Sequence, residues 1–145
     1  MPTDDRLLYL IFTAQQKLRT HLNNVMTKEN VGVTPAQAGI LFLLKEKDGR
    51  TMSELSQILS IDNSTITGLV DRLEKAGLVR RDLSPNDRRS SHVYASQEGM
   101  QEADKAKRVI RKVNREIMEG FTAEEIESFK KILRSFFKRF GADSR

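Results

Sequence analysis

The 145-residue sequence predicts a mostly α-helical fold carrying one small β-hairpin. Three observations point there. Glycine and proline are scarce, eight and three residues, so few breaks interrupt the chain. Apolar residues recur at helical spacing through most of its length. One segment departs from that spacing: Leu78-Val79-Arg80-Arg81-Asp82-Leu83 and Ser91-His92-Val93-Tyr94-Ala95 read as two strands around a turn-forming run, Ser84-Pro85-Asn86-Asp87-Arg88-Arg89.

The elements follow in order. From Asp4 to about Thr27 the pattern is helical, with Leu7, Leu8, Ile11, Leu18, Leu22 and Val25 near one broad face. Thr34-Pro35-Ala36-Gln37 opens a second helix: Thr34 is its N-cap, Pro35 takes the first helical position and Gln37 completes a capping box. The run Ile40-Leu41-Phe42-Leu43-Leu44 implies burial on most sides, and Gly49 is expected to stop the helix. Leu55, Ile58 and Leu59 give a third, short helix, capped by Ser53 or by Thr51 paired with Glu54. Ile61-Asp62-Asn63 interrupts it, and a fourth helix runs from about Ser64 to Ala76, ended by Gly77. Two short helices joined by so few residues have the spacing of a helix-turn-helix, which a helical hairpin with no ligand shares.

The fourth helix divides into two faces. Ile66, Leu69, Val70 and Leu73 stand at i, i+3, i+4 and i+7 and form a stripe for burial. A helical wheel puts Ser64, Gly68, Asp71 and Lys75 opposite, flanked by Thr65, Thr67 and Arg72. A glycine inside a helix costs ~1 kcal/mol relative to alanine. Close approach of another surface would offset that cost, and hydroxyls beside an arginine are groups that touch phosphates and base edges. The alternative is a solvated face with a tolerated glycine.

The hairpin follows this helix directly, which makes a winged helix. Arginines on a loop often do no more than keep a protein soluble. A hairpin tip beside a recognition helix instead reaches the adjacent minor groove, whose negative potential attracts arginine. Asp87 is placed to orient a guanidinium there, because carboxylate pairing fixes its planar fork.

Ser96 caps a long helix. Its segment Lys105–Arg115 holds six positive charges, with Lys105, Arg108, Lys112 and Arg115 on one face. Ala103, Ala106, Ile110, Val113 and Ile117 form its apolar stripe. The basic face reads as solvated, with a flanking DNA contact or an anionic effector as alternatives. Thr122-Ala123-Glu124-Glu125 opens the last helix with a capping box, and Gly141 ends it. Ile126, Phe129, Leu133, Phe136 and Phe140 recur there at helical spacing, with Ile132 and Phe137 beside them. So many phenylalanines are hard to bury in one small monomer. They are expected to form a dimer seam shared with Leu7 and Ile11 of the first helix, the alternative being a monomer core.

Composition bounds the function. Hydrophobic residues make up 38% and charged residues 31%, which suits a soluble protein, and no run approaches the ~18 apolar residues of a membrane span. The N-terminus begins with acids and shows no secretion signal, so a cytoplasmic location is expected. There is no cysteine, which excludes disulfides and thiolate metal sites within the chain. The two histidines, His21 and His92, lie in different elements and in no metal-binding motif. No glycine-rich phosphate loop and no nucleophile with a nearby base is present, so the chain is not expected to be an enzyme, nor to need a cofactor or metal.

The net charge of +5 hints at a polyanionic partner. Its placement gives no further support. Residues 51–99 hold six basic side chains and seven acidic ones, a net of −1. What favours nucleic acid is the position of the arginines on and beside the hairpin.

The segment SELSQILSIDNSTITGLVDRLEKAGLVRR, followed by the DRR of the hairpin and by SQEG at the start of the long helix, resembles the MarR family of bacterial transcription regulators. The resemblance covers about residues 34–99 well, and the flanking helices in pattern. Ala95-Ser96 stands where the family often has Leu-Thr. It implies a homodimer that binds pseudo-palindromic double-stranded DNA, with Ser64, Thr65, Thr67, Gly68 and Arg72 on the DNA side. Asp87 and Arg89 would make the wing contact, with Arg89 in the minor groove and Arg88 on phosphates.

It also implies three regions: a dimerisation helix in 1–33, the winged helix-turn-helix in 34–99, and a linking helix with a C-terminal dimerisation helix in 100–145. A small aromatic or anionic effector would release a repressor from DNA, with Phe12 and His21 as candidate pocket residues and ordinary packing as the alternative reading of both. Some relatives sense oxidants through a cysteine, which this chain lacks. A winged helix that contacts RNA or protein, without operator binding, is the competing reading.

Overall fold

The structure is a computed structural model and describes residues 5–84 and 87–141, with the side chains of 83–84 and 87–90 left aside. The chain divides into two compact units, residues 1–110 and 111–145. In chain order the elements are α1 (Leu7–Lys28), α2 (Pro35–Glu46), β1 (Arg50–Thr51), α3 (Met52–Leu59), α4 (Asn63–Lys75), β2 (Val79–Ser84), β3 (Asp87–Ala95), α5 (Gln97–Met118) and α6 (Ala123–Phe140). α5 runs through the boundary between the units.

Local capping sets the helix starts. Thr34 Oγ1 accepts the Gln37 amide at 3.2 Å and Gln37 Oε1 accepts the Thr34 amide at 2.9 Å, the reciprocal box the sequence predicts. Thr51, not Ser53, caps α3: its Oγ1 accepts the Glu54 amide at 3.1 Å. Ser96 Oγ accepts the Gly99 amide at 3.0 Å at the start of α5 and donates to the Gly77 carbonyl at 2.7 Å, so one hydroxyl ties α5 to the end of α4.

The hairpin is part of a three-stranded antiparallel sheet in the order β1-β3-β2. Arg50 pairs with Val93 and Thr51 with His92, so the two residues before α3 are stitched to the returning strand. The Gly49 amide donates to the Val93 carbonyl at 3.0 Å. Gly49 therefore serves this junction, three residues beyond the end of α2, rather than stopping the helix itself.

The strands also run further than the turn formers suggest. β2 reaches Ser84 and β3 begins at Asp87, so Asp87, Arg88 and Arg89 belong to strand backbone instead of a turn. Leu83 faces Ser91 but Ser84 faces Asp87, and the ladder is irregular between them. Irregularities of this kind bend and twist a strand locally.

The core of the first unit is aliphatic. Ile40, Leu41 and Leu44 of α2 meet Leu55 of α3, Ile66, Val70 and Leu73 of α4, and Val93 of β3, all essentially without solvent contact. Each such side chain contributes about 1.5–3 kcal/mol over an exposed one. Gly99 of α5 lies so close to the Leu78 carbonyl that a Cβ would stand 2.1 Å from that oxygen, so only glycine lets the helix start here.

Two polar ties complete the frame. Glu102 accepts the Gly32 amide at 2.8 Å, and Lys45 pairs with Asp104 at 2.8 Å. Along α5 the buried row is Ala103, Ala106, Val109 and Val113. The expected Ile110 is half-buried and Ile117 is exposed, while Val109, outside the expected stripe, is buried.

At the start of α6, Thr122 and Glu125 form the expected capping box, with bonds of 3.1 Å and 2.9 Å. None of its residues is buried. The phenylalanines make no monomer core: Phe137 and Phe140 are 77% and 76% exposed, and Phe136 meets Phe140 edge to face at 5.9 Å.

Candidate nucleic-acid interface

The turn before α4 is only three residues long and is held from both sides. Ser60 closes α3 in the left-handed region, φ +54°. Ser56 Oγ donates to the Ile61 carbonyl at 2.5 Å. Asp62 then caps α4, which begins at Asn63, one residue earlier than expected. At the other end Gly77 takes φ +75°, a conformation that side chains disfavour, and α4 stops.

The stripe Ile66, Leu69, Val70 and Leu73 is buried as predicted. Ser64, Thr65, Thr67 and Arg72 are exposed on the other side, around a half-buried Gly68. A Cβ added at Gly68 would meet only an Arg72 guanidinium nitrogen, at 3.8 Å. Nothing among the described residues therefore requires glycine at this position, in contrast to Gly99.

The outer face is narrower than the wheel suggests. Asp71 is turned to the hairpin: Arg81 of β2 lies 2.6 Å from Asp71 and 2.9 Å from Glu74. A wheel gives an angle but not a neighbour, and β2 returns beside this flank of α4. Glu74 first, and Asp71 with it, hold the Arg81 guanidinium above its ordinary value, against the opposing effect of burial. Arg80 pairs with Asp82 and stacks over the Tyr94 ring at 4.4 Å. Both arginines at the base of the hairpin are thus neutralised within the protein. Arg72 has no ion pair among the described residues.

Asp62 organises the first turn. Its Oδ1 accepts the Thr65 amide at 2.8 Å and the Ser64 hydroxyl at 2.6 Å, and its Oδ2 accepts the Thr65 hydroxyl at 3.0 Å. The Ser64 hydroxyl bond, then the two bonds from Thr65, lower its carboxyl to about 2. Thr67 Oγ1 donates to the Asn63 carbonyl at 2.9 Å.

Asp87, Arg88 and Arg89 are on the β3 backbone next to the hairpin tip, and their side chains lie outside the described residues. Leu7 is 75% exposed and Ile11 half-buried; Phe129 and Leu133 are exposed, Ile126 and Phe136 half-buried. Phe12 is 66% exposed and His21 is exposed, so neither lines a closed cavity within one chain.

Sequence reading passed over Asp62, Asn63 and Arg50. Asp62 is a standard N-cap type and was legible as one. Asn63 stands exposed at the first position of α4. Arg50, only 9% exposed, donates from Nε to the Leu43 carbonyl at 3.0 Å and lies within 3.6 Å of Glu46 and 3.9 Å of Glu54. It joins the end of α2 to the start of α3, and no local sequence signal marks such a bridge.

Comparison with known proteins bears on the same region. A model of the MarR family matches residues 33–91. The uncharacterized HTH-type transcriptional regulator YsmB of Bacillus subtilis (strain 168) is 33% identical over 127 residues, 88% of this chain and 83% of that one. The homoprotocatechuate degradative operon repressor of Escherichia coli is 26% identical over 132 residues, 91% of this chain and 88% of its own. The crystal structure of a mutant MarR from Escherichia coli complexed with operator DNA superposes with a TM-score of 0.80 at 27% identity, covering 89% of this chain and 91% of that one.

Proposed function

The chain belongs to the MarR family, and on that premise we propose that it binds operator DNA as a homodimer and represses transcription until a small-molecule effector releases it. The observation that carries the DNA reading is the outer face of α4. Ser64, Thr65, Thr67 and Arg72 are exposed around a glycine that the fold does not need. In this reading α4 enters the major groove and Gly68 lets its backbone approach the bases. Arg72 takes a phosphate or a guanine edge. The wing, with Asp87, Arg88 and Arg89, follows the backbone to the minor groove, Arg89 entering it and Arg88 resting on phosphates.

Dimerisation supplies the second half-site. The exposed apolar faces of α1 and of α6 are the surfaces we assign to the partner protomer, because a monomer rarely leaves such faces uncovered. Residues 1–33 and 100–145 thus serve assembly and 34–99 serves DNA. Effector control is assigned on the likeness to operon repressors, with Phe12 and His21 kept as pocket candidates at the protomer interface. The relatives are regulators, and no catalytic step is assigned to the chain. No helix among the described residues is long and apolar enough to cross a membrane, and a regulator of chromosomal DNA in bacteria works in the cytoplasm.

Fluorescence anisotropy with duplex DNA and with RNA of the same sequence tests the reading. Duplex DNA should bind tightly and RNA should not compete. Because Arg80 and Arg81 are already paired, the salt slope should stay below about ten counterions. Equal binding of RNA contradicts operator recognition.

A further inference from the structure

Three hydroxyls stand on the outer face of α4, and the structure fixes where each proton lies. A carboxylate and a carbonyl accept hydrogen bonds and donate none. Ser64 Oγ is 2.6 Å from Asp62 Oδ1, and Thr65 Oγ1 is 3.0 Å from Asp62 Oδ2. Thr67 Oγ1 is 2.9 Å from the Asn63 carbonyl. In all three bonds the hydroxyl must be the donor. What remains on each oxygen, facing away from the protein, is lone pairs.

We propose that α4 meets DNA as a row of hydrogen-bond acceptors at Ser64, Thr65 and Thr67, selecting bases that offer an amino group, with Asp62 fixing this polarity at Ser64 and Thr65 and the Asn63 carbonyl fixing it at Thr67. The proposal rests on reading α4 as the recognition helix and specifies what that helix reads. Phosphate oxygens are acceptors and gain nothing from such a row. In the major groove the donors are adenine N6 and cytosine N4. At a contacted position the face therefore favours adenine or cytosine over guanine or thymine on the same strand. Turning the Ser64 or Thr65 hydroxyl outward to a phosphate would break a bond to an ionised carboxylate, a stronger bond than one between neutral groups. The Asp62 charge further repels phosphate from the first turn. The same carboxylate occupies the Thr65 amide, a donor that an anion at the helix start would otherwise use. Arg72, two turns on, offers donors only and suits the opposite chemistry.

The test uses the full-length protein and the half-site selected from random duplexes. Each adenine is replaced in turn by purine, and each cytosine by 2-pyrimidinone, which removes only the amino group. At one or more positions the wild-type affinity should fall about tenfold. Where Thr65 is the acceptor that loss should vanish in Thr65→Val; in Asp62→Ala the freed hydroxyls of Ser64 and Thr65 can donate as well, so the preference for adenine and cytosine should narrow and unrelated duplexes should bind better with a steeper salt slope. Thr65→Val keeps the Asp62 cap and serves if Asp62→Ala does not fold. A selected operator that tolerates every amino removal within about twofold overturns the polarity while leaving operator binding intact. A wild-type protein that selects no duplex overturns operator binding itself and this proposal with it.

Discussion

Arg81 Nη2 lies 2.6 Å from Asp71 Oδ1, a bond that joins strand β2 to the flank of helix α4. The same guanidinium reaches Glu74 at 2.9 Å. The two bonds tie the hairpin to α4, and the single positive charge offsets one of the two carboxylate charges. Arg81→Met should lower folding stability by about 1 kcal/mol, since the network is partly exposed. DNA affinity should fall further than stability does, because the freed carboxylates repel phosphate. Urea denaturation and anisotropy on the same samples separate the two effects.

Gly68 invites the opposite outcome. Its Cβ position is open inside the chain. Gly68→Ala should therefore stabilise the fold by about 0.5–1 kcal/mol through helix propensity. If α4 enters the major groove as proposed, the same methyl comes between helix and bases, so DNA binding should weaken, and Gly68→Leu should abolish it. Thermal denaturation alongside gel shifts provides the check.

Asp62 sets a pH expectation. Its carboxyl is lowered to about 2 from an unfolded value of 3.8. A group depressed on folding stabilises the protein above its unfolded value, and that contribution is lost as pH falls through the folded one. The cap should thus hold at pH 5 and disappear between about pH 4 and pH 2. Carboxyl carbon shifts followed by NMR should place the midpoint near 2. In Asp62→Asn, which still caps, the acid-dependent loss of α4 amide protection should be absent.

Phe137 is largely exposed in the single chain, so replacing it costs that chain little. Phe137→Asp should leave the helical content unchanged by circular dichroism and convert the dimer to monomer in sedimentation velocity. Operator affinity should drop by at least about 100-fold, because one half-site alone remains bound.

Local chemistry was legible where a few adjacent residues decide the outcome. The boxes Thr34–Gln37 and Thr122–Glu125 formed as read, since each is complete within four residues. The buried stripe of α4 followed from spacing alone. Longer reach was not legible. The Arg50 bridge between α2 and α3, the Arg81 pairs and the Gly32–Glu102 bond depend on how distant segments meet. The start of α4 was misplaced by one residue because Asp62 was taken for part of the turn it ends. The hairpin outran its turn formers because strand pairing, not residue type, carried β3 back to Asp87. On the outer face, residue types showed that hydroxyls were present, while only the geometry of Asp62 and the Asn63 carbonyl showed where their protons point.

Selection of bound sequences from random duplexes measures the central claim most directly, that paired protomers each insert α4 into the major groove. A two-fold motif is expected, with halves about one helical turn, ~34–36 Å, apart, and Gly68→Leu should enrich nothing. Enrichment of a single asymmetric element, or the same motif from Gly68→Leu, contradicts it.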